Sequence, residues 1–134
     1  MKKILIIDDD KTFHKVMGDK LDGLGYKVAS AFDGIEGLNL AVLEKPDLVL
    51  LDIRMPKLDG LAFLKQLRAK PDAPKMPILI TSNLTSIDKI SEGISLGVKG
   101  YIIKSNETLD SIVKEIETAL NPEKKIDTPI TPVP

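Results

Sequence analysis

Short runs of consecutive apolar residues recur along the chain, each bounded by polar or turn-forming residues. Four of these runs are continuous: Ile4–Ile7, Leu48–Leu51, Ile78–Ile80 and Tyr101–Ile103. Continuous runs of this length are typical of strands that are buried on both faces of a parallel sheet. A fifth segment, Lys27–Ala31, alternates more weakly and predicts a strand at the edge of that sheet.

The segments that follow these predicted strands show the periodicity of amphipathic helices. Gly25 and Gly97 are expected to end the first and fourth helices, and Asp33 with Glu36 suggests a capping box at the start of the second. The three apolar positions of the second helix are expected to face inward. The apolar residues that mark the five helices are, in chain order, Phe13, Val16, Met17, Leu21 and Leu24; Ile35, Leu38 and Val42; Leu61, Leu64 and Leu67; Ile87, Ile90, Ile94 and Leu96; and Leu109, Ile112, Val113, Ile116 and Leu120.

The regular alternation of strands and helices predicts the fold class. Strands that are separated by single helices form right-handed β-α-β units. The sequence therefore predicts an α/β fold with a doubly wound, five-stranded parallel sheet and five helices.

Acidic, hydroxyl and amine side chains directly follow four of the predicted strands. Asp8 and Asp9 follow the first strand, Asp52 the third, Thr81 the fourth and Lys104 the fifth. In open α/β sheets, ligands bind beyond the carboxyl ends of the strands. We therefore expect these five side chains to converge at one edge of the sheet.

Three carboxylates brought together repel one another, and loss of solvent increases the cost. A divalent cation would relieve this repulsion, and an all-oxygen site favours Mg²⁺ or Mn²⁺. With Lys104 and Thr81 added, the pattern indicates phosphoryl transfer to a carboxylate. Taken singly, the same residues are weaker evidence, because Asp8–Asp10 could simply cap the first helix. Capping is the role that we expect for Asp10.

Four segments of the chain resemble the receiver domain of two-component response regulators. They are ILIIDD at 4–9, PDLVLLDIRMPKLDG at 46–60, PILIT at 77–81 and GVKGYIIK at 97–104. The resemblance covers about residues 2–120. It implies a flavodoxin-like fold with strand order 2-1-3-4-5, in a stand-alone regulator similar to those of chemotaxis and sporulation relays.

The resemblance also implies a role for each residue of the acidic cluster. Asp52 would accept the phosphoryl group. Mg²⁺, with Mn²⁺ as the alternative, would be held by Asp8, Asp9, Asp52 and the backbone carbonyl of Arg54. Lys104 would pair with the phosphoryl group. The chain would catalyse only its own phosphorylation and dephosphorylation and would not otherwise be an enzyme.

A conformational switch and its partners follow from the same resemblance. Thr81 would move to hydrogen-bond the phosphoryl group, and the rotamer of Tyr101 would follow. The face formed by Ser86–Leu120 would then contact a downstream protein. The phosphoryl donor would be a sensor histidine kinase or a histidine phosphotransfer protein.

Several positions vary from, or within, the pattern of the family. Ser105 stands where a proline usually follows the lysine, and either Ser105 or Asn106 could cap the fifth helix. Ser82 replaces a smaller residue, and Asn83 occupies a variable position that flanks the site. His14, the only histidine, is expected at an exposed position of the first helix.

Composition narrows the possible partners and location. A net charge of −1 argues against a non-specific nucleic-acid binder, and the chain has no cysteine. No apolar stretch approaches the roughly 20 residues of a membrane span. We expect a cytoplasmic protein with a receiver domain at 1–120, a proline-rich and disordered tail at 121–134, and no direct contact with nucleic acid or membrane. With no second domain in view, its signal is expected to pass through another protein.

Three other functions fit parts of the sequence less well. A haloacid-dehalogenase-type phosphatase would use Asp8 as nucleophile and Asp10 as general acid. However, no acidic metal motif follows Lys104, and this reading leaves the segment around Met55 unexplained. A pseudo-receiver that only docks partners is a further alternative. A flavin-binding protein is disfavoured because no phosphate-binding loop follows the first strand.

Overall fold

One parallel sheet organises the structure, a computed structural model that describes residues 1–55, 58–71, 75–82 and 87–121. The described residues form five strands, in chain order β1 (Lys3–Ile7), β2 (Lys27–Ala31), β3 (Leu48–Asp52), β4 (Ile78–Ser82) and β5 (Gly100–Ile103). All neighbouring strands pair in parallel, in the order β2-β1-β3-β4-β5. The predicted fold class and strand order are confirmed, and the weakly patterned β2 lies at an edge as expected.

Helices follow each strand and cover both faces of the sheet. They are α1 (Lys11–Gly23), α2 (Gly34–Glu44), α3 (Gly60–Ala69), α4 (Ile87–Ser95) and α5 (Leu109–Leu120), with a short 3-10 helix at Lys104–Asn106. Four sequence expectations concern positions outside the described residues. These are Pro56 in the family motif, the flanking Asn83, Ser86 at the start of the proposed output face, and residues 122–134 of the tail.

Two layers of apolar side chains, one on each face of the sheet, hold the helices in place. Successive residues of a strand point to opposite faces. Accordingly, Ile4 and Ile6 of β1 pack in the layer that includes side chains of α1 and α5. Leu5 and Ile7 pack in the layer that includes side chains of α2 and α3. The sheet is therefore buried on both faces, which explains the continuous apolar runs.

Helix boundaries follow local sequence signals, with one exception. Gly25 and Gly97 have φ angles of 94° and 88° and lie just beyond the ends of α1 and α4, as predicted. The expectation that Ser105 or Asn106 caps α5 was wrong, because both lie in the 3-10 helix. The N-cap is Thr108, whose side chain accepts the backbone N–H of the third helical residue in a capping box.

The inward face of α2 differs from the prediction. Ile35 and Val42, which were expected to face inward, are 53% and 37% exposed. The buried face is instead formed by small residues, including Gly37 and Ala41. A Cβ atom on Gly37 would lie 2.7 Å from the Cδ1 atom of Ile7, so a larger residue at this position would force the Ile7 side chain or the helix to shift. Leu38 does pack against the core, as predicted. Ile35 and Val42 are more exposed because the small residues hold their side of α2 close to the sheet.

Two substitutions of the same kind test this orientation of α2. Ile35→Ala should lower the free energy of unfolding by less than about 1 kcal/mol, because the side chain is half exposed. Ile7→Ala removes a fully buried side chain and should cost about 2–5 kcal/mol. Urea unfolding of both variants measures the difference. Similar losses for the two variants would contradict the observed orientation.

Candidate functional site

The carboxyl ends of the strands bring three acidic side chains together. Asp8 and Asp9 directly follow β1, and Asp52 is the last residue of β3, the neighbouring strand. One carboxylate oxygen from each lies within 4.8 Å of the other two. The predicted convergence of these three residues is thus present in the structure.

Asp8 is held from two sides by hydrogen-bond donors. Its carboxylate is almost fully buried, Oδ1 accepts the backbone N–H of Asp10 at 2.9 Å, and Oδ2 accepts the Lys104 ammonium at 2.5 Å. The Lys104 Nζ atom also lies 4.2 Å from the centroid of the Phe13 ring, where a cation is attracted to the π face. Lys104 therefore reaches the acidic cluster, as predicted from its position after β5.

Asp52 is buried beside Asp8 and Lys104, and its carboxyl group has a raised pKa. Its carboxylate is 8% exposed and accepts the backbone N–H of Arg54 at 3.2 Å. Burial, followed by the negative charge of Asp8, raises the pKa of the Asp52 carboxyl to about 7. The Arg54 hydrogen bond and the Lys104 charge oppose this rise without cancelling it. The site thus stabilises added positive charge beside Asp52.

Thr81 and Tyr101 lie on adjacent strands near this cluster. Thr81 is paired with Asp52 across β3 and β4 and is buried, and its Oγ1 atom has no hydrogen-bond partner among the described residues. Tyr101 is paired with Ile80 on β5 and is half exposed. The structure therefore places a buried hydroxyl next to Asp52 and an exposed aromatic ring on the neighbouring strand.

Asp10 and His14 have distinct places beside the acidic cluster. The Asp10 carboxylate accepts the backbone N–H groups of Thr12 and Phe13, so it caps α1 as predicted. The expectation that His14 is exposed was wrong. The ring is 7% exposed, and its Nε2 atom lies 2.7 Å from the backbone carbonyl oxygen of Asp8. Helical spacing from His14 to Met17 and Leu21, both buried, was the signal that could have revealed this position.

The donor set of the cluster suits a hard divalent cation. Asp8, Asp9 and Asp52 together offer carboxylate oxygens, which Mg²⁺, Mn²⁺ and Ca²⁺ prefer over nitrogen or sulfur ligands. Asp9 is exposed while the other two are buried, so one side of the cluster is open to solvent. The cluster could bind a metal ion, and the part assigned to the Arg54 carbonyl stays a prediction.

A doubly wound sheet with an acidic cluster at its carboxyl edge defines the class of protein. The family model described as the response regulator receiver domain matches residues 4–117. The chain belongs to this family. Within the described residues, no helix combines the length and apolar character needed to cross a membrane.

Curated relatives include transcriptional regulators. The probable transcriptional regulator ycf27 of Guillardia theta is 41% identical over 103 residues, covering 77% of this chain and 39% of that protein. The DNA-binding dual master transcriptional regulator RpaA of a Synechocystis strain is 38% identical over 104 residues, covering 78% and 43%. The chain spans about half the length, or less, of the curated relatives that it matches.

Solved structures with this fold include CheY-like proteins. The chemotaxis protein CheY4 of Vibrio cholerae has a TM-score of 0.81 at 29% identity, covering 89% of this chain and 98% of that one. A response regulator protein from Burkholderia pseudomallei has a TM-score of 0.74 at 26% identity, covering 98% and 78%. That structure contains a phosphorylated aspartic acid and a calcium ion.

Proposed function

We propose that this chain accepts a phosphoryl group on Asp52, in a reaction that depends on Mg²⁺ or Mn²⁺. The observation that carries the proposal is the approach of the Asp8, Asp9 and Asp52 carboxylates to within 4.8 Å, with the Lys104 ammonium bonded to Asp8. Such a cluster combines an acyl-phosphate acceptor with groups that neutralise phosphoryl charge. The phosphorylated aspartic acid and the calcium ion in the Burkholderia structure support phosphoryl transfer to an aspartate in this fold.

The proposed reaction transfers a phosphoryl group from an oxygen or nitrogen atom of the donor to a carboxylate oxygen of Asp52. An Asp52 carboxylate oxygen forms a bond to phosphorus while the bond from phosphorus to the donor breaks, and the donor keeps that electron pair. A cation held by Asp8, Asp9 and Asp52, with the Arg54 carbonyl, would neutralise charge on the phosphoryl oxygens. Lys104 can contribute a second positive charge, since its ammonium already lies at the cluster.

The signal is proposed to leave the site through Thr81 and Tyr101. The buried Thr81 hydroxyl is paired in register with Asp52 and has no partner among the described residues, so a phosphoryl oxygen would supply one. Movement of Thr81 would open space toward β5, where Tyr101 is half exposed. The response is a shift between two states, driven by contacts that only one state makes.

The output would be a change in protein binding by the face that contains α4, β5 and α5. A sensor histidine kinase or a histidine phosphotransfer protein is the proposed donor, and the receiver unit is proposed to span 1–120. RpaA, which is named as a DNA-binding regulator, is more than twice as long as the region that matches this chain. Action as a stand-alone unit, absence of nucleic-acid contact and a cytoplasmic location therefore stay predictions.

Phosphorylation by a small donor tests the proposal. The protein is incubated with acetyl phosphate and Mg²⁺, and the intact mass is measured with and without a chelator. We expect a gain of one phosphoryl group that requires the divalent cation. The adduct should vanish in Asp52→Asn, because an amide is not a competent nucleophile for this transfer.

Asp10→Asn is the matched control, because it makes the same acid-to-amide change two residues after Asp8. Asparagine also caps helices well, so this variant should be labelled like the wild type. Sustained hydrolysis of phosphate esters that depends on Asp10 would instead identify a phosphatase. Absence of both an adduct and metal binding would leave a docking module and contradict the proposal.

A further inference from the structure

His14 contacts the backbone of one of the proposed metal ligands. The Nε2 atom lies 2.7 Å from the carbonyl oxygen of Asp8, and the contact is buried. A carbonyl oxygen can only accept a hydrogen bond, so the shared hydrogen belongs to Nε2. The Nδ1 atom is also buried and has no hydrogen-bond partner within the described ranges. Among the described residues, the contact to the Asp8 carbonyl is thus the only hydrogen bond of the His14 ring.

The orientation of the His14 ring is set by a second contact. Its centroid lies 4.2 Å from that of Phe32, with 40° between the ring planes. Phe32 directly follows β2, whose last residue, Ala31, accepts the backbone N–H of Asp8 at 3.0 Å. The peptide groups on both sides of the Asp8 Cα atom are therefore held, one by β2 and the other by His14.

We propose that His14 is a positioning residue for the cation site, acting through the backbone of Asp8. The inference rests on the proposed function, because it assumes that Asp8 is a metal ligand. The contacts of the Asp8 carboxylate, to Lys104 and to the N–H of Asp10, involve the atoms that a cation would bind. The His14 contact involves the carbonyl oxygen alone, so it can persist when a cation binds and keep the carboxylate directed at Asp9 and Asp52.

A variant that keeps an aromatic ring at position 14 but lacks the Nε2–H donor tests this role. His14→Phe keeps an aromatic ring against Phe32 but cannot donate to the Asp8 carbonyl. Residues that orient metal ligands typically change affinity by about 10–100-fold when they are substituted. We expect the Mg²⁺ dissociation constant to rise by about tenfold, measured by competition with Mn²⁺ in electron paramagnetic resonance. His14→Gln retains an N–H donor and should recover part of the affinity.

The kinetics of phosphorylation show whether His14 positions the cation or takes a direct part in phosphoryl transfer. In His14→Phe, the Mg²⁺ concentration that gives half the maximal rate with acetyl phosphate should rise by the same factor. The rate at saturating Mg²⁺ should change little, because Asp52 and Lys104 are unaltered. In the wild type, the ¹⁵N chemical shifts of the imidazole should show the hydrogen on Nε2.

Met17→Ala is the control for loss of stability, because Met17 is a buried residue of α1 that makes none of these hydrogen bonds. It should lower the melting temperature and leave Mg²⁺ affinity unchanged. Wild-type affinity in His14→Phe, equal weakening in Met17→Ala, or an Nε2 atom that carries no hydrogen would each overturn the role of His14 while the proposed function stands. A wild-type protein that binds no Mg²⁺ would overturn both.

Discussion

Asp52→Asn should make the metal-free protein more stable at alkaline pH. Burial and the charge of Asp8 raise the pKa of Asp52 in the folded chain to about 7, from an ordinary value of 3.8. The folded state therefore holds a proton that the unfolded state has lost, and stability decreases as pH rises from about 4 through about 7. Asparagine does not ionise, so the variant avoids a cost of up to about 4 kcal/mol.

Urea unfolding in the presence of a chelator measures this effect. The advantage of Asp52→Asn over the wild type should be on the order of 2–4 kcal/mol at about pH 8 and should fall below about 1 kcal/mol at about pH 4. Added Mg²⁺ should reduce the advantage at the higher pH, because the cation stabilises the Asp52 carboxylate. Asp10→Asn, at an exposed cap, should show little of this pH dependence. An equal or lower stability of Asp52→Asn at about pH 8 would contradict the electrostatic account.

The sheet could be predicted from the sequence because burial on both faces produces continuous apolar runs. Ile4–Ile7 and Leu48–Leu51 are such runs, and each forms the greater part of a central strand. The buried face of α2 could not be predicted in the same way. Its fully buried positions are Gly34, Gly37 and Ala41, and such small residues give little hydrophobic signal. The more apolar stripe, which includes Ile35, was misleading. The helix backbone approaches the sheet most easily where side chains are small, and this turns Ile35 toward solvent.

The acidic cluster could be predicted because parallel strands deliver their carboxyl ends to one edge of the sheet. Position after a strand was enough to bring Asp8, Asp9 and Asp52 together. Their electrostatics could not be read from the sequence, because the pKa of Asp52 depends on burial that adjacent elements create. The contact of His14 with Asp8 was missed for a related reason. The polarity of His14 favours an exposed position, although its spacing from Met17 and Leu21 places it on the buried stripe of α1.

Gly60 lies where α3 passes closest to the strand that carries Asp52. A Cβ atom at this position would lie 2.6 Å from the backbone oxygen of Asp52 and 2.7 Å from the Cα atom of Ile53. Both neighbours are backbone atoms, so no change of side-chain rotamer can relieve the overlap. The Gly60 N–H also donates to the Ile53 carbonyl at 2.8 Å, which fixes the start of α3 against this segment. Space, rather than a special φ angle, therefore requires glycine.

Gly60→Ala should destabilise the protein and disturb the acidic cluster together. Overpacking against a fixed backbone typically costs about 1–3 kcal/mol, and urea unfolding should show a loss of at least this size. Relief of the overlap must shift the Asp52 backbone, so labelling by acetyl phosphate at limiting Mg²⁺ should also slow. Gly23→Ala is the matched control, because nothing lies within 4 Å of the added methyl group at the end of α1. Alanine is the better helix former, so this control should be neutral or up to about 1 kcal/mol more stable. Wild-type stability and labelling in Gly60→Ala would show that the β3–α3 segment yields more easily than its contacts indicate.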